Sequence, residues 1–467
     1  MVHIPELVIR NGTSLASRHY TRATNRSVSH NGTIYAASNT DVAVSVFYLI
    51  LAIFGFASAL LIMLLALFEP GLSYRTPEAV DIAPDSAEFA HLLPIIADAH
   101  LYNDSVFEVL TNGDLFYEAE LETIRAARTY ICMEAYIFQK GEIADRFIEA
   151  LTDRVRAGVD VRLVLDAVGS FNTWRSTFSE LTSAGGHVCW YNTLRWYNLA
   201  RFNNRTHREM LIVDGSTAFV GGAGVADQWY KSRGGKNRWR DTMVKMQGPA
   251  VSSLQSMFIE NWLESSGELL ANCKYYPAKK ADGNGKAMVI NSTPSSGRST
   301  RARMLFQILI ATARRRIYIT TPYFLPDRGL RQALLESLAR GVEIKILVPG
   351  KYSDHLLTRR ASRRLYGSLL RNGAQIYEYQ PSMIHAKLIV VDGLWSVVGS
   401  TNFDSRSFGI NDEVNVAALD EGLAARLEED FRADLEVSRR ITFEEWGHRP
   451  AIERASELLG WVIERQQ

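Results

Sequence analysis

The sequence predicts an α/β protein made of two similar domains, each a mixed sheet flanked by helices, related by a pseudo-twofold axis and preceded by an N-terminal transmembrane helix. Three observations carry this. Apolar β-type runs alternate with helical ones from about residue 100 onward, the same series returns after a polar break, and residues 42 to 68 carry no charge.

Residues 1 to 41 are rich in Ser, Thr, Asn and Arg without a sustained apolar period, and read as a disordered tail. The 27 residues from Val42 to Phe68 follow. At ~1.5 Å per residue, a helix of that length crosses a bilayer with some tilt. A cleaved signal peptide would have a shorter apolar core nearer the N-terminus. Arg10, Arg18, Arg22 and Arg26 precede the span, and "EPGLSYRTPEAVDIAPD" after it is acidic apart from Arg75. The positive-inside rule therefore sets the tail in the cytoplasm and the body on the non-cytoplasmic side. Asn11, Asn25 and Asn31 head Asn-x-Ser/Thr triplets, which would matter only in the reverse orientation within a secretory pathway.

A Pro-containing linker is expected over 69–95 and a first domain over 96–276. The runs "TYICMEAYIF", "EIADRFIEALTDRVRAG", "VDVRLVLDAVG", "HVCWYN", "EMLIVDG" and "TAFVGG" supply its strands and helices. The polar stretches "PAKKADGNGK" and "TPSSGRSTR" mark a second linker over 277–301. A second domain, 302–467 with a C-terminal helix, repeats the order as "RIYITTPYF", "RGLRQALLESLARG", "VEIKILVPG", "AQIYEYQ", "AKLIVVDG" and "WSVVGSTNFD". "RAGVDVRLVLD" aligns with "ARGVEIKILVP". This is an internal duplication of about 180 residues, and two repeats are too few for a solenoid. The economical arrangement packs the halves face to face about a pseudo-twofold axis, with matched motifs at the seam.

The 467 residues, 47% hydrophobic and 22% charged, suffice for a large core. A net charge of +1 excludes polyanion binding by bulk electrostatics. With no extended basic, aromatic-studded groove, no nucleic-acid partner is expected. Cys132, Cys189 and Cys273 show no CxxC spacing and read as packing residues.

The chemistry lies in a repeated nonapeptide. "THREMLIVD" at 206–214 and "IHAKLIVVD" at 384–392 place a His, two apolar pairs and an Asp at identical spacing. On a strand, His385 and Lys387 point to one face and Ala386 and Leu388 to the other. Ten residues past Asp392 comes Asn402, in "GSTN", on a turn whose backbone and amide donors suit an anion. Two histidines from two halves supply the nucleophile and the proton donor of an in-line phosphoryl transfer. Neither motif has metal-ligand spacing, so no metal or other cofactor is expected.

At these residues the chain resembles the phospholipase D superfamily, with its duplicated HxK(x)4D signature. "IHAKLIVVDGLWSVVGSTNFD" matches that signature through its GSxN extension. "TPYFLPDRGLRQAL", "RGVEIKILVPGKYSD", "FGINDEVN" and the N-terminal span look like bacterial cardiolipin synthases, over roughly residues 100 to 440. The resemblance implies two phospholipase D-like domains at a cell membrane and phospholipid substrates such as phosphatidylglycerol. It also implies a phosphatidyl-histidine intermediate that an alcohol resolves. Carried over by position, His207 is the nucleophile and His385 the general acid, then base. Asp241 in "RWRDT" and Glu413 in "NDEVN" fall where the family places the carboxylates that orient each histidine. Asp214 and Asp392 become structural acceptors at the seam. Lys387 and Asn402, with Ser400 beside them, hold nonbridging phosphate oxygens. Tyr136 and Tyr323 are cleft-wall candidates, against the usual fate of strand aromatics in a core. Phospholipid hydrolysis, and less readily nuclease action, remain alternative reactions of such a site.

The first half departs from the pattern twice: the Lys place holds Glu209 and the Asn place holds Gly224. A carboxylate ~4 Å from a phosphate oxygen repels by roughly 4 kcal/mol at an effective dielectric near 20. Three readings follow: Glu209 is neutralised by Arg205 or Arg240, it is protonated in a dry site, or the site is impaired and merely binds lipid phosphate. Elsewhere, Arg359, Arg360, Arg363 and Arg364 form a basic helical stripe, for anionic headgroups or for acidic neighbours. "HVCWYNTLRWYNLARFNNR" reads as an exposed loop suited to a bilayer interface.

Overall fold

The computed structural model describes residues 39–68, 81–193, 203–232, 237–272, 275, 283–294 and 300–450. Residues 1–38 of the predicted tail, the three Asn-x-Ser/Thr triplets, Cys273 and residues 194–202 of the aromatic stretch lie outside them, and tail residues 39–41 begin the first helix. The chain divides into two compact units, residues 1–68 and 69–467.

In the first unit one helix runs over Asn39–Phe68. Its Val44–Leu61 window is uncharged, unburied, and long and apolar enough to cross a membrane.

The second unit carries the duplication. Its first half contributes β1 (Tyr102–Thr111), β2 (Tyr130–Ala135), β3 (Asp160–Asp166), β4 (His187–Tyr191), β5 (Met210–Val213), β6 (Thr217–Gly221) and β7 (Thr242–Gln247). The second half contributes β8 (Gly285–Ser292), β9 (Arg316–Thr320), β10 (Glu343–Pro349), β11 (Gln375–Tyr379), β12 (Leu388–Val391), β13 (Trp395–Gly399), β14 (Glu413–Leu419) and β15 (Ser438–Ile441). Among the described residues these make one sheet system in the order β15-β11-β10-β9-β12-β13-β14-β8-β1-β7-β6-β5-β2-β3-β4. Read outward from its centre, β1-β7-β6-β5-β2-β3-β4 repeats β8-β14-β13-β12-β9-β10-β11, so the pseudo-twofold axis passes between the antiparallel strands β1 and β8.

The halves are joined at this edge and also face each other. Val164, Ile212 and Val220 of the first half share a core with Val289, Val414 and Val416 of the second. Val244 packs with Leu388, Val390 and Val398. The faces that meet at the seam are apolar. Helices such as Glu142–Arg156 and Arg328–Ala339 cover the outer faces, burying Phe147 and Leu151 in one case and Leu330 and Leu334 in the other.

Three expectations need correction. The second linker, 277–301, contains β8, the strand of the second half that lies at the middle of the whole sheet. Its apolar "AMVI" was masked by polar flanks, yet β8 pairs with both β14 and β1. The first linker, 69–95, ends in a packed helix, Ala87–Ile96, whose Phe89 and Leu93 are fully buried in the second half's core. Trp395 holds this segment by donating its indole N–H to the Pro84 carbonyl at 2.7 Å. In the aromatic stretch, His187–Tyr191 is strand β4, paired in parallel with β3, rather than exposed loop.

Candidate active site

The two motif histidines sit just upstream of β5 and β12, where the chain reaches across the seam. His207 donates its backbone N–H to the Asp412 carbonyl at 2.9 Å, and Asp412 donates back to Arg205 at 2.9 Å. The twin contact runs from His385 N–H to the Arg240 carbonyl at 2.7 Å, and from Arg240 to Met383 at 2.8 Å. These bridges set each histidine beside a carboxylate of the opposite half. Nδ1 of His207 lies 3.1 Å from Oε2 of Glu413, and Nδ1 of His385 lies 3.1 Å from Oδ2 of Asp241. A carboxylate accepting Nδ1–H fixes the tautomer and leaves Nε2 for chemistry.

Each carboxylate is itself held. Glu413 accepts from the Ser400 hydroxyl, and Asp241 from the Trp229 indole at 3.0 Å and the Thr242 backbone at 2.8 Å. Trp229 and Trp239 flank the His385 ring, each with centroids 5.4 Å away. The Lys387 ammonium lies 2.7 Å from the His385 carbonyl and 2.7 and 3.1 Å from its two ring nitrogens. The Lys387 charge therefore lies directly against the imidazole.

His207 opens onto a cavity of 280 Å³ whose wall includes Tyr136, Tyr323, Asn402, Asp404 and Arg406. Both cleft-wall tyrosines are therefore at the wall, with Tyr136 edge-on to the His207 ring at 5.0 Å. Tyr323 donates to Asp354 at 2.6 Å. Asn402 is 4% exposed and its Oδ1 has no hydrogen-bond partner, leaving that amide unspent beside the histidine.

Burial shapes the protonation states. It lowers the Lys387 ammonium to about 8, against the stabilising fields of Asp241 and Glu413. Burial and the Lys387 charge lower His385, and the Asp241 contact only partly restores it. Burial alone would raise Asp241, but the His385 hydrogen bond and Lys387 reverse that and hold it below its ordinary value.

The two departures in the first motif meet in space. Glu209 is 5% exposed, and its Oε1 accepts the Ile137 backbone N–H at 3.2 Å. Burial drives its carboxyl well above the usual range, against that hydrogen bond and the Lys387 field, so the acid form is favoured. Of the two proposed arginines, Arg205 bonds Asp166 and the Asn192 and Asn204 carbonyls and Arg240 pairs with Asp434, while the cation whose field acts on Glu209 is Lys387. A Cβ on Gly224 would stand 2.3 Å from the Ile137 carbonyl and 2.9 Å from Glu209 Oε1. A side chain at 224 would thus collide with both the Ile137 backbone and the Glu209 carboxyl.

A family model described as "Cardiolipin synthase, PLD-like domain" matches residues 121–262 and 307–435, which cover the two histidine motifs, Asp241 and Glu413. The chain belongs to the phospholipase D-like cardiolipin synthase family. Within it, the major cardiolipin synthase ClsA of Bacillus subtilis is 35% identical over 81% of this chain and 79% of its own. Cardiolipin synthase 1 of Staphylococcus epidermidis is 33% identical over 80% of this chain and 77% of its own. Among solved structures, the phosphatidylserine synthase of Haemophilus influenzae shares the fold with a TM-score of 0.60 at 16% identity, over 79% of this chain and 98% of that one.

Against this family background the motif aspartates take a different place from the one expected. Asp214 and Asp392 do accept hydrogen bonds, but each ties its own half at the strand end away from the histidine, not at the seam. Asp214, at φ 50°, accepts the backbone N–H groups of Arg128, Thr129 and Tyr130 at 2.9, 2.7 and 3.1 Å. Asp392, at φ 57°, accepts those of Arg314, Arg315 and Arg316 at 2.9, 2.7 and 2.8 Å. The arginine stripe also divides. Arg359 and Arg363 turn inward to Glu378, which Arg439 joins, while Arg360 stays exposed and Arg364 lines a separate surface cavity.

Sequence reasoning missed several neighbours of the histidines. Gly222 occupies the place of Ser400 in the first half, and a Cβ there would meet Asp241 Oδ1, the His385 carbonyl and Lys387 Nζ, each at 2.9 Å. The spacing from Asp214 that located Gly224 also locates Gly222. Trp229, Trp239, Asp404 and Arg406 had no counterpart signal, because their approach to the site depends on turns that follow the motifs.

Proposed function

We infer that the enzyme transfers a phosphatidyl group between phospholipids, making cardiolipin from two phosphatidylglycerol molecules. The observation that carries this reading is the pair of crossed histidine–carboxylate contacts beside a cavity that holds His207, Asn402 and Tyr323. The family relatives named cardiolipin synthases support it.

In the first step His207 Nε2 attacks the donor phosphorus. The P–O bond to the leaving glycerol breaks, and protonated His385 gives that oxygen its proton. An arriving phosphodiester anion raises the depressed pKa of His385 and so restores the acid the step requires. In the second step His385 takes the proton of an acceptor hydroxyl, whose oxygen attacks the phosphorus. The P–N bond breaks, and His207 regains its lone pair as a neutral imidazole. Lys387 and Asn402 stabilise the charge on the nonbridging oxygens in both steps. Glu209, as the neutral acid, adds no repulsion, which favours an active site over an impaired one.

The units fit this reading as a tail (1–41), a membrane span (42–68) and two phospholipase D-like halves, with the body on the non-cytoplasmic face of a cell membrane. The test supplies phosphatidylglycerol in mixed micelles to wild type and His207→Ala. Cardiolipin and free glycerol from wild type alone support the reading. Phosphatidic acid as the sole product makes the enzyme a hydrolase, and no product from wild type overturns both.

A further inference from the structure

The cavity beside His207 contains a cation that the phosphoryl-transfer steps leave unused. Arg406 lines it, two residues beyond Asp404 and four beyond Asn402. Its Nη1 and Nη2 donate to the side-chain and backbone oxygens of Asn203, both at 2.9 Å. Asn203 is neutral, and among the described residues Arg406 makes no ion pair. The other arginine of the wall, Arg205, is committed to Asp166 and two backbone carbonyls. Asp404, also in the wall, is pushed up to about 6 by burial and accepts the Ser407 backbone N–H at 2.8 Å; it forms no direct ion pair with Arg406 among the described residues.

The acceptor's chemistry calls for such a group. An acceptor phospholipid that offers a glycerol hydroxyl carries its own phosphodiester three carbons away from that hydroxyl. While the hydroxyl approaches the phosphorus on His207, the second phosphodiester enters the same cavity. The first phosphate has Lys387 and Asn402. A second anion brought into a partly dry, aromatic-walled space is unfavourable unless a separate cation meets it. A guanidinium gives two parallel N–H donors to a phosphodiester, a better match than a point charge.

We propose that Arg406 binds the phosphodiester of the acceptor phospholipid, and so selects an anionic lipid alcohol over water or a small neutral alcohol as the group that resolves the intermediate. This rests on the transferase reading above and assigns its acceptor subsite. The bond to Asn203 orients the guanidinium toward the cavity.

The experiment gives the full-length enzyme a phosphatidylglycerol donor and compares two soluble acceptors, isotopically labelled glycerol and sn-glycerol 3-phosphate. Both report the same donor step, and only the second carries an acceptor phosphate. Wild type should prefer the phosphorylated acceptor. Arg406→Gln, which keeps a donor for Asn203 but no charge, should lose that preference by about tenfold while transfer to glycerol stays within about twofold. Arg406→Lys should recover part of it, and Asn203→Ala, which keeps the charge, should retain a measurable preference. An unchanged acceptor ratio in Arg406→Gln overturns the proposal, and so does an equal loss toward both acceptors that Arg406→Lys fails to rescue. If wild type transfers to neither acceptor and releases only phosphatidic acid, the transferase reading itself fails, an outcome separate from any behaviour of the variants.

Discussion

Nδ1 of His207 meets Oε2 of Glu413 at 3.1 Å, although 206 positions separate the two residues in the chain. The mirror contact, His385 to Asp241, has the same length, so each half of the protein orients the other half's histidine. Replacing either carboxylate by its amide keeps the shape but lets the imidazole adopt the wrong tautomer. Glu413→Gln and Asp241→Asn are each expected to lower kcat by on the order of 10²- to 10⁴-fold with little change in lipid KM. Steady-state kinetics in mixed micelles checks this, and a loss confined to KM would count against an orienting role.

Glu209 offers a prediction about charge. As the favoured acid form it already resembles an amide, so Glu209→Gln should keep kcat within about threefold of wild type at neutral pH. The linkage sign follows from the raised pKa. The folded state holds this proton more tightly than the unfolded chain, so the contribution to stability is present below about pH 4.5 and is lost as pH rises through the folded pKa. The amide variant should therefore gain melting temperature over wild type as the buffer becomes more alkaline. An activity collapse in Glu209→Gln would show that the carboxylate itself is needed.

Gly224 is expected to tolerate no side chain while Glu209 is present. Gly224→Ala sets a Cβ against the fixed Ile137 carbonyl and should destabilise the fold by about 1–3 kcal/mol. Thermal or denaturant unfolding measures it, and a neutral result would mean that the segment after β6 shifts freely.

Lys387 loses its proton near pH 8 in the free protein. Above that pH the phosphate loses a charged partner, so the lipid KM should rise between pH 7.5 and 9, by roughly tenfold per unit once the lysine is mostly neutral. Lys387→Arg, whose guanidinium stays charged, should flatten this rise even where its altered shape lowers kcat. An identical KM profile in the arginine variant would assign the titration to another group.

Asp392→Ala tests the separation of framework from chemistry. Three backbone N–H groups lose their acceptor at one end of β9, and removing such a charged acceptor costs about 1.5–3 kcal/mol. The melting temperature should fall, while kcat at low temperature should stay near wild type in the folded fraction.

Much of this site is legible in the sequence because its residues come in fixed local spacing. His207, His385, Lys387 and Asn402 lie within strand and turn motifs, where period and count suffice. The crossed pairing is not legible, because nothing local to "RWRDT" or "NDEVN" says which histidine each carboxylate will meet; the Arg240 and Asp412 bridges decide it. Likewise β8 is hidden between polar flanks, since a central strand needs only a short apolar run once both neighbours exist. The adjacency of Glu209 and Gly224 is a packing fact between two loops. Composition could name both residues as departures, but only contact shows that the two lie against each other.

The antiparallel pairing of β1 with β8 makes the two halves one continuous molecule rather than two copies meeting by chance. In a symmetric dimer every substitution appears twice, so a lysine exchanged for a glutamate would be lost from both sides at once. Covalent duplication removes that restriction. One half carries Lys387 and Asn402 where the other carries Glu209 and Gly224, and on the transferase reading proposed above the shared site is free to distinguish the molecule that gives the phosphoryl group from the one that receives it.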